Sequence, residues 1–400
     1  MSEPAWIPIF ASLSVIVSML LAMPAVFLMV VSFASRRHPR PKFIPLRAKR
    51  VAVLMPAHNE AETIEATLTD LMASLDEGMT VWVVADNCTD DTARRAAELG
   101  ANVIVRSDTE RHGKGYAIEC GVEAMSASPP EVVVIVDADC RIDPFSLRRI
   151  ADIAHDKGRP AQAVYTMRPA SDALLSRVGA FAFAVRNVVR PMGMKRLGFP
   201  VHLAGTAMAF PYPLLRAFRG LDNHLVEDLY LGIELSLGGR APILVEEARV
   251  ESVLPTHQSA ALAQRQRWEG GSLKVMKTHL LKVLREMLRY GRPSLLGLAL
   301  DLTIPPLALF SLLISMNGAF ALWLALEAER LFPFALSMIP AFALMAAVVS
   351  AYRAVGGAYL SAAELVRVPL YVLWKIPLYL GLMIRGAPRR WRRTERGEAK

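Results

Sequence analysis

Residues 132–139 read Val-Val-Val-Ile-Val-Asp-Ala-Asp, so that five consecutive apolar side chains run into two aspartates separated by one alanine. An apolar run without alternation predicts a strand covered on both faces, because a strand with one solvated face alternates apolar and polar residues. Aspartate is typical of the turn that ends such a strand. This stretch therefore predicts a buried strand that delivers two carboxyl groups to the edge of a sheet.

Three more short strands precede this one, and helices separate them. The predicted strands are 51–55, 81–85, 102–106 and 132–136, and the predicted helices are 61–75, 90–98 and 114–125. Thr89 and Asp90 are typical caps for the second of these helices. Strands that are buried on both faces and alternate with helices predict an α/β fold, with a mainly parallel, Rossmann-like sheet flanked by helices.

Polar residues follow three of these strands at the point where each strand ends. Asn59 and Glu60 come after the first strand, Asp86 after the second, and Asp137 and Asp139 after the fourth. In open parallel sheets, ligands bind beyond the carboxyl ends of the strands. We therefore expect these side chains to converge on one cleft.

Asp137 and Asp139 are candidate ligands of a divalent cation. Two carboxylates one residue apart on a strand-end loop can direct oxygens at a hard ion such as Mg²⁺ or Mn²⁺. A metal in that position would neutralise charge developing on a departing diphosphate. The alternative is an ordinary turn, in which aspartates are common, but the neighbouring polar clusters favour the metal site.

Two more residues at this edge of the sheet are candidate contacts of a nucleotide. Asp86 could accept hydrogen bonds from a nucleobase, and Lys114 could bind phosphate. Lys114 could equally be a solvated lysine, and Glu60 could be an acidic residue in the first turn of a helix, where the dipole favours negative charge.

Glu227 and Asp228 precede an apolar helix. A carboxylate in this position could take the proton from an attacking hydroxyl group, as a general base does. The alternative is that both acids interact with the positive end of the helix dipole. The other motifs favour Asp228 as a candidate base.

Gln264, Arg267 and Trp268 are spaced i, i+3 and i+4, so they share one side of a predicted helix. The planar guanidinium of Arg267 could clamp a phosphate, and the flat face of Trp268 could stack on a sugar ring. The alternative is a basic helix on a membrane surface with its tryptophan at the interface.

Apolar residues make up 53% of the chain, and their excess lies at its two ends. Residues 6–33 carry no charge and exceed the ~20 residues that cross a bilayer, which predicts an uncleaved anchor. Three further apolar stretches follow, at 294–325, 332–352 and 363–384. Because the last contains Glu364, Arg367 and Lys375, crossing would be costly there. We expect two crossings and one interfacial helix in this part of the chain.

The net charge of +9 comes largely from basic clusters beside the apolar stretches, which favours the positive-inside rule over nucleic-acid binding. Three cysteines without metal-ligand spacing exclude a disulfide framework and a zinc site, and fit a reducing compartment. The expected layout is an anchor at 1–35, a cytoplasmic α/β domain at 48–270, an interfacial amphipathic helix at 271–292, a membrane region at 293–385 and a basic cytoplasmic tail at 386–400.

The familiar nucleotide signatures are missing. No Gly-x-Gly-x-x-Gly follows the first strand, which disfavours a dinucleotide-dependent dehydrogenase. Residues 112–115, His-Gly-Lys-Gly, lack the preceding glycine and the Ser or Thr of a phosphate-binding P-loop.

Taken together, the motifs resemble those of family 2 glycosyltransferases with a GT-A fold. The similarity is to the membrane-integrated branch that contains cellulose, chitin and hyaluronan synthases and nodulation N-acetylglucosaminyltransferases. Five motifs occur in the expected order: the opening nucleotide-binding motif at 56–60, the base-contacting Asp86, the D-x-D pair Asp137 and Asp139, the general base Asp228, and the Q-x-x-R-W motif at Gln264, Arg267 and Trp268. Val226 departs from the polar residue that usually opens the base motif.

The resemblance implies particular roles for these residues. Asp139 would be the direct metal ligand, with Asp137 beside it, and Gly205 and Thr206 would line the acceptor site. The donor would be a nucleotide sugar, UDP-sugar being favoured, bound by Asn59, Glu60, Asp86, Lys114, Asp137, Gln264 and Arg267.

The expected function is inverting, metal-dependent sugar transfer to a polysaccharide or oligosaccharide acceptor at a bacterial inner membrane, with membrane lipids as further partners and no nucleic acid. Two alternatives stay open. One is the transfer of a single sugar to a polyprenyl-linked acceptor, and the other is a catalytically silent subunit of a glycan-assembly complex. A transporter is disfavoured because few apolar segments surround a large soluble domain.

Overall fold

A computed structural model describes residues 6–36, 48–218 and 226–386. Eight strands form a single sheet in the order β3-β2-β1-β4-β7-β6-β8-β5. The strands are β1 (Val51–Ala57), β2 (Met79–Asp86), β3 (Asn102–Arg106), β4 (Val132–Ile135), β5 (Arg141–Ile142), β6 (Ala161–Arg168), β7 (Met208–Pro211) and β8 (Ile243–Val253).

The helices divide into those that flank the sheet and those at the two ends of the chain. They are α1 (Trp6–Ala34), α2 (Ile64–Met72), α3 (Thr92–Glu98), α4 (Lys114–Ala124), α5 (Pro144–Lys157), α6 (Leu174–Ala184), α7 (Arg190–Arg196), α8 (Tyr212–Ala217), α9 (Glu227–Leu237), α10 (Gln258–Tyr290), α11 (Leu295–Leu302), α12 (Leu307–Glu327), α13 (Leu331–Val355), α14 (Ala362–Leu365), α15 (Val368–Trp374) and α16 (Ile376–Arg385). A π-helical segment, Val185–Val189, joins α6 to α7.

The sheet is parallel where the polar strand ends converge. Strand β1 pairs in parallel with both β2 and β4, and β2 pairs in parallel with β3. Strand β7 runs antiparallel to β4 and β6. The α/β prediction with a mainly parallel sheet is therefore confirmed, and strands β1, β2 and β4 end at one edge.

Apolar side chains cover both faces of the sheet, which explains the unbroken apolar runs in its strands. One face packs against α2 and α5 through Leu68, Leu147 and Ile150, and the other packs against α4 and α9 through Ile118 and Leu231. Complete burial of such a side chain stabilises the fold by about 1.5–3 kcal/mol. The carboxyl edge of the sheet is thus held rigidly from both sides.

The predicted boundaries hold to within a few residues. Helix α3 begins at Thr92 rather than at residue 90, because Asp90 accepts hydrogen bonds from the Thr92 amide at 3.1 Å and from its hydroxyl at 2.5 Å and so caps the helix from outside. Helix α2 is shorter than the predicted 61–75, since residues 61–63 form a turn.

The separate interfacial helix at 271–292 needs correction, because α10 is one continuous helix that begins at Gln258. The boundary between 270 and 271 falls inside it. Gly270 and Gly271 are both helical, and neighbouring residues on this helix pack against other elements, which offsets the low helix propensity of glycine. One rigid element therefore joins the Q-x-x-R-W residues to the basic amphipathic stretch.

In the described part of the chain, four helical stretches are long and apolar enough to cross a membrane: Trp6–Ala34, Leu307–Glu327, Leu331–Ala358 and Ala362–Ile384. Helices α1, α12 and α13 pack on one another. Polar contacts bind the bundle internally, since Asn317 donates a hydrogen bond to Ser18 at 2.8 Å and Ser350 donates to the Ser32 carbonyl at 3.1 Å. Such contacts between small polar side chains are typical of membrane helix packing.

The fourth stretch consists of three short helices, α14 to α16, and its charges pair with the α/β domain. Glu364 accepts two hydrogen bonds from Arg177, at 2.8 and 2.7 Å. Lys375, which is 5% exposed, forms an ion pair with Glu269 on α10. These partners lower the cost of the charged residues in an otherwise apolar segment.

The α/β domain is joined to the anchor helix by close backbone packing. A Cβ atom at Gly193 on α7 would lie 2.0 Å from the carbonyl oxygen of Val31 on α1. Arg196, one turn later, donates a hydrogen bond to the carbonyl of Ala34 at 3.2 Å and another to the carbonyl of Ser35. A cation at these carbonyls also complements the negative end of the α1 dipole.

We expect Gly193→Ala to destabilise the protein by about 1–3 kcal/mol, because the added methyl group forces α7 and α1 apart. Thermal unfolding of the detergent-solubilised chain measures this as a lower Tm. Gly318→Ala is the matched control, since Gly318 is also helical and nothing lies within 4 Å of a Cβ atom there. An unchanged Tm for Gly193→Ala would show that the two helices are not in close contact.

Candidate active site

A cleft with a volume of about 210 Å³ lies beyond the carboxyl ends of β1, β2 and β4. Its walls come from the loops after these strands, from the start of α4 and α9, and from one side of α10. Ten of the residues that the sequence singles out line it: Glu60, Asp86, Lys114, Asp137, Asp139, Gly205, Asp228, Gln264, Arg267 and Trp268. Convergence of the polar strand ends is thus a feature of the fold.

Asp137 and Asp139 follow β4 with their side chains at the cleft. Oxygens of both aspartates and the Cys140 sulfur lie within 4.8 Å of one another. Burial raises the pKa of Cys140 to about 12, so that its thiol is neutral at physiological pH and a poor ligand for a hard cation. Two carboxylates on a short loop fit Mg²⁺ or Mn²⁺ by donor chemistry, and the thiol contributes packing.

Lys114, at the start of α4, lies among the acidic residues of the cleft. Its Nζ atom is 2.5 Å from Asp137 Oδ1 and 3.8 Å from Glu227 Oε1, and it donates a hydrogen bond to the Gly205 carbonyl at 2.6 Å. Burial alone would lower the pKa of Lys114, but Asp137 and Glu227 raise it above its ordinary value. The lysine is therefore a fixed positive charge that connects the loops of Asp137 and Gly205 with the start of α9.

Asp86 ends β2 and is 6% exposed. Its Oδ1 atom accepts hydrogen bonds from Arg106 on β3 at 2.5 Å and from the Asn87 side chain at 3.0 Å. These donors orient the carboxylate at one end of the cleft. The other carboxylate oxygen is available for a ligand's hydrogen-bond donor.

Asn59 and Glu60 form the turn after β1, and they differ in position. Asn59 has a positive φ of 55°, and its side-chain oxygen accepts a hydrogen bond from the Thr89 amide at 2.7 Å. It holds two strand-end loops together and does not line the cleft. Glu60 does line it, while accepting a hydrogen bond from Thr63 at 2.7 Å.

Asp228 lies in the first turn of α9 and faces the loop that contains Gly205. A Cβ atom at Gly205 would be 3.3 Å from Asp228 Oδ2, and φ at Gly205 is +89°. Both the close contact and the backbone conformation therefore disfavour a side chain at this position. Thr206 is fully buried, and its hydroxyl accepts a hydrogen bond from the Asp137 amide at 3.0 Å. Thr206 therefore supports the loop of Asp137 from behind and lies outside the cleft.

Gln264, Arg267 and Trp268 approach from α10. Burial lowers the pKa of Arg267, and the carboxylates of Glu227 and Asp137 oppose this. The Trp268 ring lies 5.8 Å from that of Phe183 on α6. Helix α10 thus delivers a cation and an aromatic face opposite the acidic loops.

The structure adds two charged residues that the sequence analysis did not select. Glu227 lines the cleft beside Asp228. Arg186, on the π-helical segment, also lines it and donates a hydrogen bond to Ser272 at 3.0 Å. One signal was present in the sequence, since Arg186 is the single charged residue of the stretch 178–189, in which Asn187 is the other polar residue.

The described part of the chain has a GT-A fold. It superimposes with a TM-score of 0.56 on the mannosyltransferase PcManGT from Pyrobaculum calidifontis, solved in complex with GDP-Man and Mn²⁺. The sequence identity is 18%, and the match covers 86% of this chain and 98% of that one.

The chain belongs to the family described as glycosyltransferase-like family 2, whose model matches residues 48–271. An uncharacterized glycosyltransferase from Mycobacterium tuberculosis is 34% identical over 122 residues, 29% of this chain and 51% of the relative. Glucomannan 4-beta-mannosyltransferase 1 of Oryza sativa subsp. japonica is 27% identical over 252 residues, 59% of this chain and 48% of the relative. The chain spans about half the length of the curated relatives it matches.

The buried acids of the cleft predict a pH-dependent stability. Burial raises the pKa of Glu227 to about 7, from 4.5, and the Asp228 carboxylate adds to this while Lys114 opposes it. The folded state therefore holds this proton more tightly than the unfolded state does, and stability falls as pH rises from about 4.5 to about 7. We expect Glu227→Gln to have a higher Tm than the unsubstituted chain at pH 8, and the difference to shrink towards pH 5.

This comparison is made with EDTA present, because a bound cation would change the charge balance. Glu98→Gln is the matched control: the Glu98 side chain is 59% exposed, so its effect should not follow this pH profile. A difference between Glu227→Gln and the unsubstituted chain that stays constant from pH 5 to pH 8 would contradict the raised pKa.

Proposed function

We propose that this chain is an inverting, metal-dependent glycosyltransferase that moves a sugar from a nucleotide-sugar donor to a glycan acceptor at a membrane. One observation carries the proposal: Asp86, Asp137, Asp139 and Asp228, which are far apart in sequence, line a single cleft. A nucleotide contact, a metal-ligand pair and a candidate base within one cleft are the elements that sugar transfer from a diphosphate requires.

In this proposal the donor lies along the cleft with its base at Asp86 and its diphosphate at Asp137 and Asp139. These two carboxylates would hold Mg²⁺ or Mn²⁺, which when bound supplies positive charge to the diphosphate. Lys114 and Arg267 hold the phosphates from the two sides of the cleft. Glu60 and Gln264 also line the cleft, the first from the loop after β1 and the second from α10, and fix the donor's orientation.

The reaction is a single displacement at the anomeric carbon. The acceptor hydroxyl oxygen forms a bond to that carbon, the bond to the diphosphate oxygen breaks, and the nucleoside diphosphate leaves with the electron pair. Asp228 takes the proton of the hydroxyl. Trp268 stacks on the acceptor sugar, and attack from the side opposite the leaving group inverts the anomeric configuration.

The raised pKa of Asp228, caused mainly by burial, supports its role as a base. A carboxylate with a raised pKa holds a proton more strongly than one in water, which favours removal of a proton from a hydroxyl group. Glu227 shares this environment. An acid at a helix terminus with no acceptor nearby would have only a structural role. Asp228 and Glu227 both line the cleft, which favours a catalytic role for Asp228.

The acceptor is proposed to be a polysaccharide or oligosaccharide at a bacterial inner membrane, with the α/β domain on the cytoplasmic side. The four apolar helical stretches among the described residues support membrane association, and the basic residues beside the first and last of them support the orientation. Single-sugar transfer to a lipid-linked acceptor and a catalytically silent subunit are the alternatives. Product length tests single-sugar transfer, which adds one sugar, whereas a polymerising enzyme gives products of many lengths. Lack of any transfer or donor hydrolysis would support the catalytically silent subunit.

Identification of the donor requires a panel. UDP-sugars are favoured by the sequence resemblance, whereas PcManGT was solved with GDP-Man. Membranes that contain the full-length chain would be incubated with radiolabelled UDP- and GDP-sugars, with and without Mn²⁺ or Mg²⁺. Transfer or hydrolysis of one donor by these membranes, above that of membranes without the chain, is the expected result.

We expect Asp228→Asn to lower kcat by about 10²–10⁴-fold, the range that general base catalysis contributes, while donor affinity stays within a few-fold. Nucleotide-sugar binding and turnover are measured on the same preparation. Glu65→Gln, at an acid in the first turn of α2, is the control for loss of a helix-terminal charge. Loss of donor binding in a folded Asp228→Asn variant, with no separate loss of kcat, would contradict the assignment.

Removal of divalent cations with EDTA should abolish transfer, and Mn²⁺ or Mg²⁺ should restore it. In Asp139→Asn the cation concentration for half-maximal activity should rise by at least about tenfold, because a charged oxygen ligand is lost. Asp143→Asn controls for loss of a nearby carboxylate, since Asp143 caps α5. Full activity in EDTA would refute metal dependence.

A further inference from the structure

A second cavity, with a volume of about 130 Å³, adjoins the donor cleft. Phe183, Arg186 and Trp268 line both spaces, so these side chains form the partition between them. The second cavity is smaller than the donor cleft, in which a whole nucleotide sugar is proposed to bind. It therefore fits one group of a larger molecule whose other parts lie elsewhere.

Positively charged side chains outnumber negatively charged ones in the lining of this cavity. Arg190 pairs with Asp301 at 2.7 Å, and Lys375 pairs with Glu269. Arg265 donates a hydrogen bond to the Tyr371 hydroxyl at 2.6 Å, and Arg186 donates to Ser272 at 3.0 Å. Within the described residues neither Arg186 nor Arg265 forms an ion pair with a carboxylate, so two positive charges are left for an anion.

His202 provides an independent indication of a ligand. Its side chain is 5% exposed, it lines the second cavity, and its Nε2 atom has no hydrogen-bond partner among the described residues. Burial lowers the pKa of His202 to about 3, so the ring is neutral at physiological pH. An orphaned ring nitrogen in a buried site costs free energy unless a ligand or a water satisfies it.

One wall of the cavity belongs to the candidate membrane bundle. Leu28 on α1 and Leu307 and Ala308 at the start of α12 line it. Leu28 is six residues from the end of α1, which at ~1.5 Å per residue places it about 9 Å inside the helix end. The cavity therefore joins cations beside the donor cleft to an apolar wall within the candidate membrane bundle.

We propose that this second cavity binds the phosphate group of a membrane lipid whose apolar chain leaves along α1 and α12 and whose linked sugar lies at Trp268. Arg186 contacts the phosphate oxygens through its guanidinium. His202 donates to them as the Nε2–H tautomer, with its Nδ1 atom 3.8 Å from Asp301 Oδ2. The phosphate lies in the second cavity, and the sugar bonded to it extends past the side chains that line both spaces into the donor cleft, facing Asp228.

This assignment rests on the proposed function and makes it more specific, because it identifies the acceptor as a glycan joined through phosphate to a lipid. A free soluble oligosaccharide would use neither the excess positive charge nor the apolar wall. Inorganic phosphate would use the charge alone, and a neutral lipid alcohol would use the wall alone. Binding measurements can therefore distinguish each of these three ligands from a lipid phosphate.

The test measures equilibrium binding of radiolabelled farnesyl phosphate to the full-length chain in zwitterionic lipid nanodiscs, with empty nanodiscs subtracted. Farnesol and inorganic phosphate are the competitors. We expect farnesyl phosphate to bind saturably, and each competitor to be weaker by at least about tenfold, since a charge-assisted contact and an apolar contact both contribute. Equal competition by farnesol, or by inorganic phosphate, would overturn the assignment of a lipid phosphate.

Arg186→Gln should weaken farnesyl phosphate binding by about tenfold or more through loss of a charge-assisted contact, and Arg186→Lys should restore part of it. His202→Phe should weaken binding several-fold. Arg216→Gln removes an arginine whose side chain is 44% exposed and lines neither cavity, and it should leave binding unchanged. Unaltered affinity in both Arg186→Gln and His202→Phe would overturn the site.

Nucleotide-sugar binding is measured on each variant, both as a test of folding and to separate the two proposals. His202 lines the second cavity and not the donor cleft, so His202→Phe should retain donor affinity. Donor binding without farnesyl phosphate binding in the unsubstituted chain would overturn the lipid site alone. Farnesyl phosphate binding without binding of any nucleotide sugar would leave the lipid site standing and refute sugar transfer.

Discussion

The contact of the Lys114 ammonium group with two carboxylates and a backbone carbonyl is the interaction on which the site depends. Its 2.5 Å contact with Asp137, its 3.8 Å approach to Glu227 and its hydrogen bond to the Gly205 carbonyl connect the loop after β4 with α9 and the loop before β7. Buried carboxylates without a counter-charge would be protonated or would destabilise the fold. One lysine therefore lets this chain concentrate acidic groups where a diphosphate and a cation are proposed to bind.

Charged side chains are also paired with opposite charges where the α/β domain contacts the apolar helices. Glu364 pairs with Arg177, Lys375 with Glu269 and Arg190 with Asp301, each across the boundary between these parts of the chain. The pair between Lys375 and Glu269 fixes α10, which also carries Arg267 and Trp268. A buried ion pair contributes little net stability, but loss of one partner is costly, so these pairs act mainly as fixed points between the two regions.

Much of the fold and of the candidate site could be predicted from local patterns. Apolar runs followed by acids located β1, β2 and β4 and the cleft at their ends, because burial on both faces and the common direction of parallel strands leave few alternatives. The prediction was less accurate for residues whose role depends on distant neighbours. Asn59 and Thr206 hold loops together through the Thr89 and Asp137 amides, and neither contact has a sequence signature.

The sequence by itself determined the α/β class, the apolar ends and the chemical character of the cleft, since strand periodicity, length of apolar runs and residue type are local properties. Tertiary structure alone decided that α10 is continuous from Gln258 to Tyr290, that Arg186 lies between two cavities and that His202 has an unsatisfied ring nitrogen. These features arise where segments separated by a hundred residues or more pack together. The burial and charge balance at such contacts depend on the three-dimensional arrangement of all of them, which no single stretch of the chain specifies.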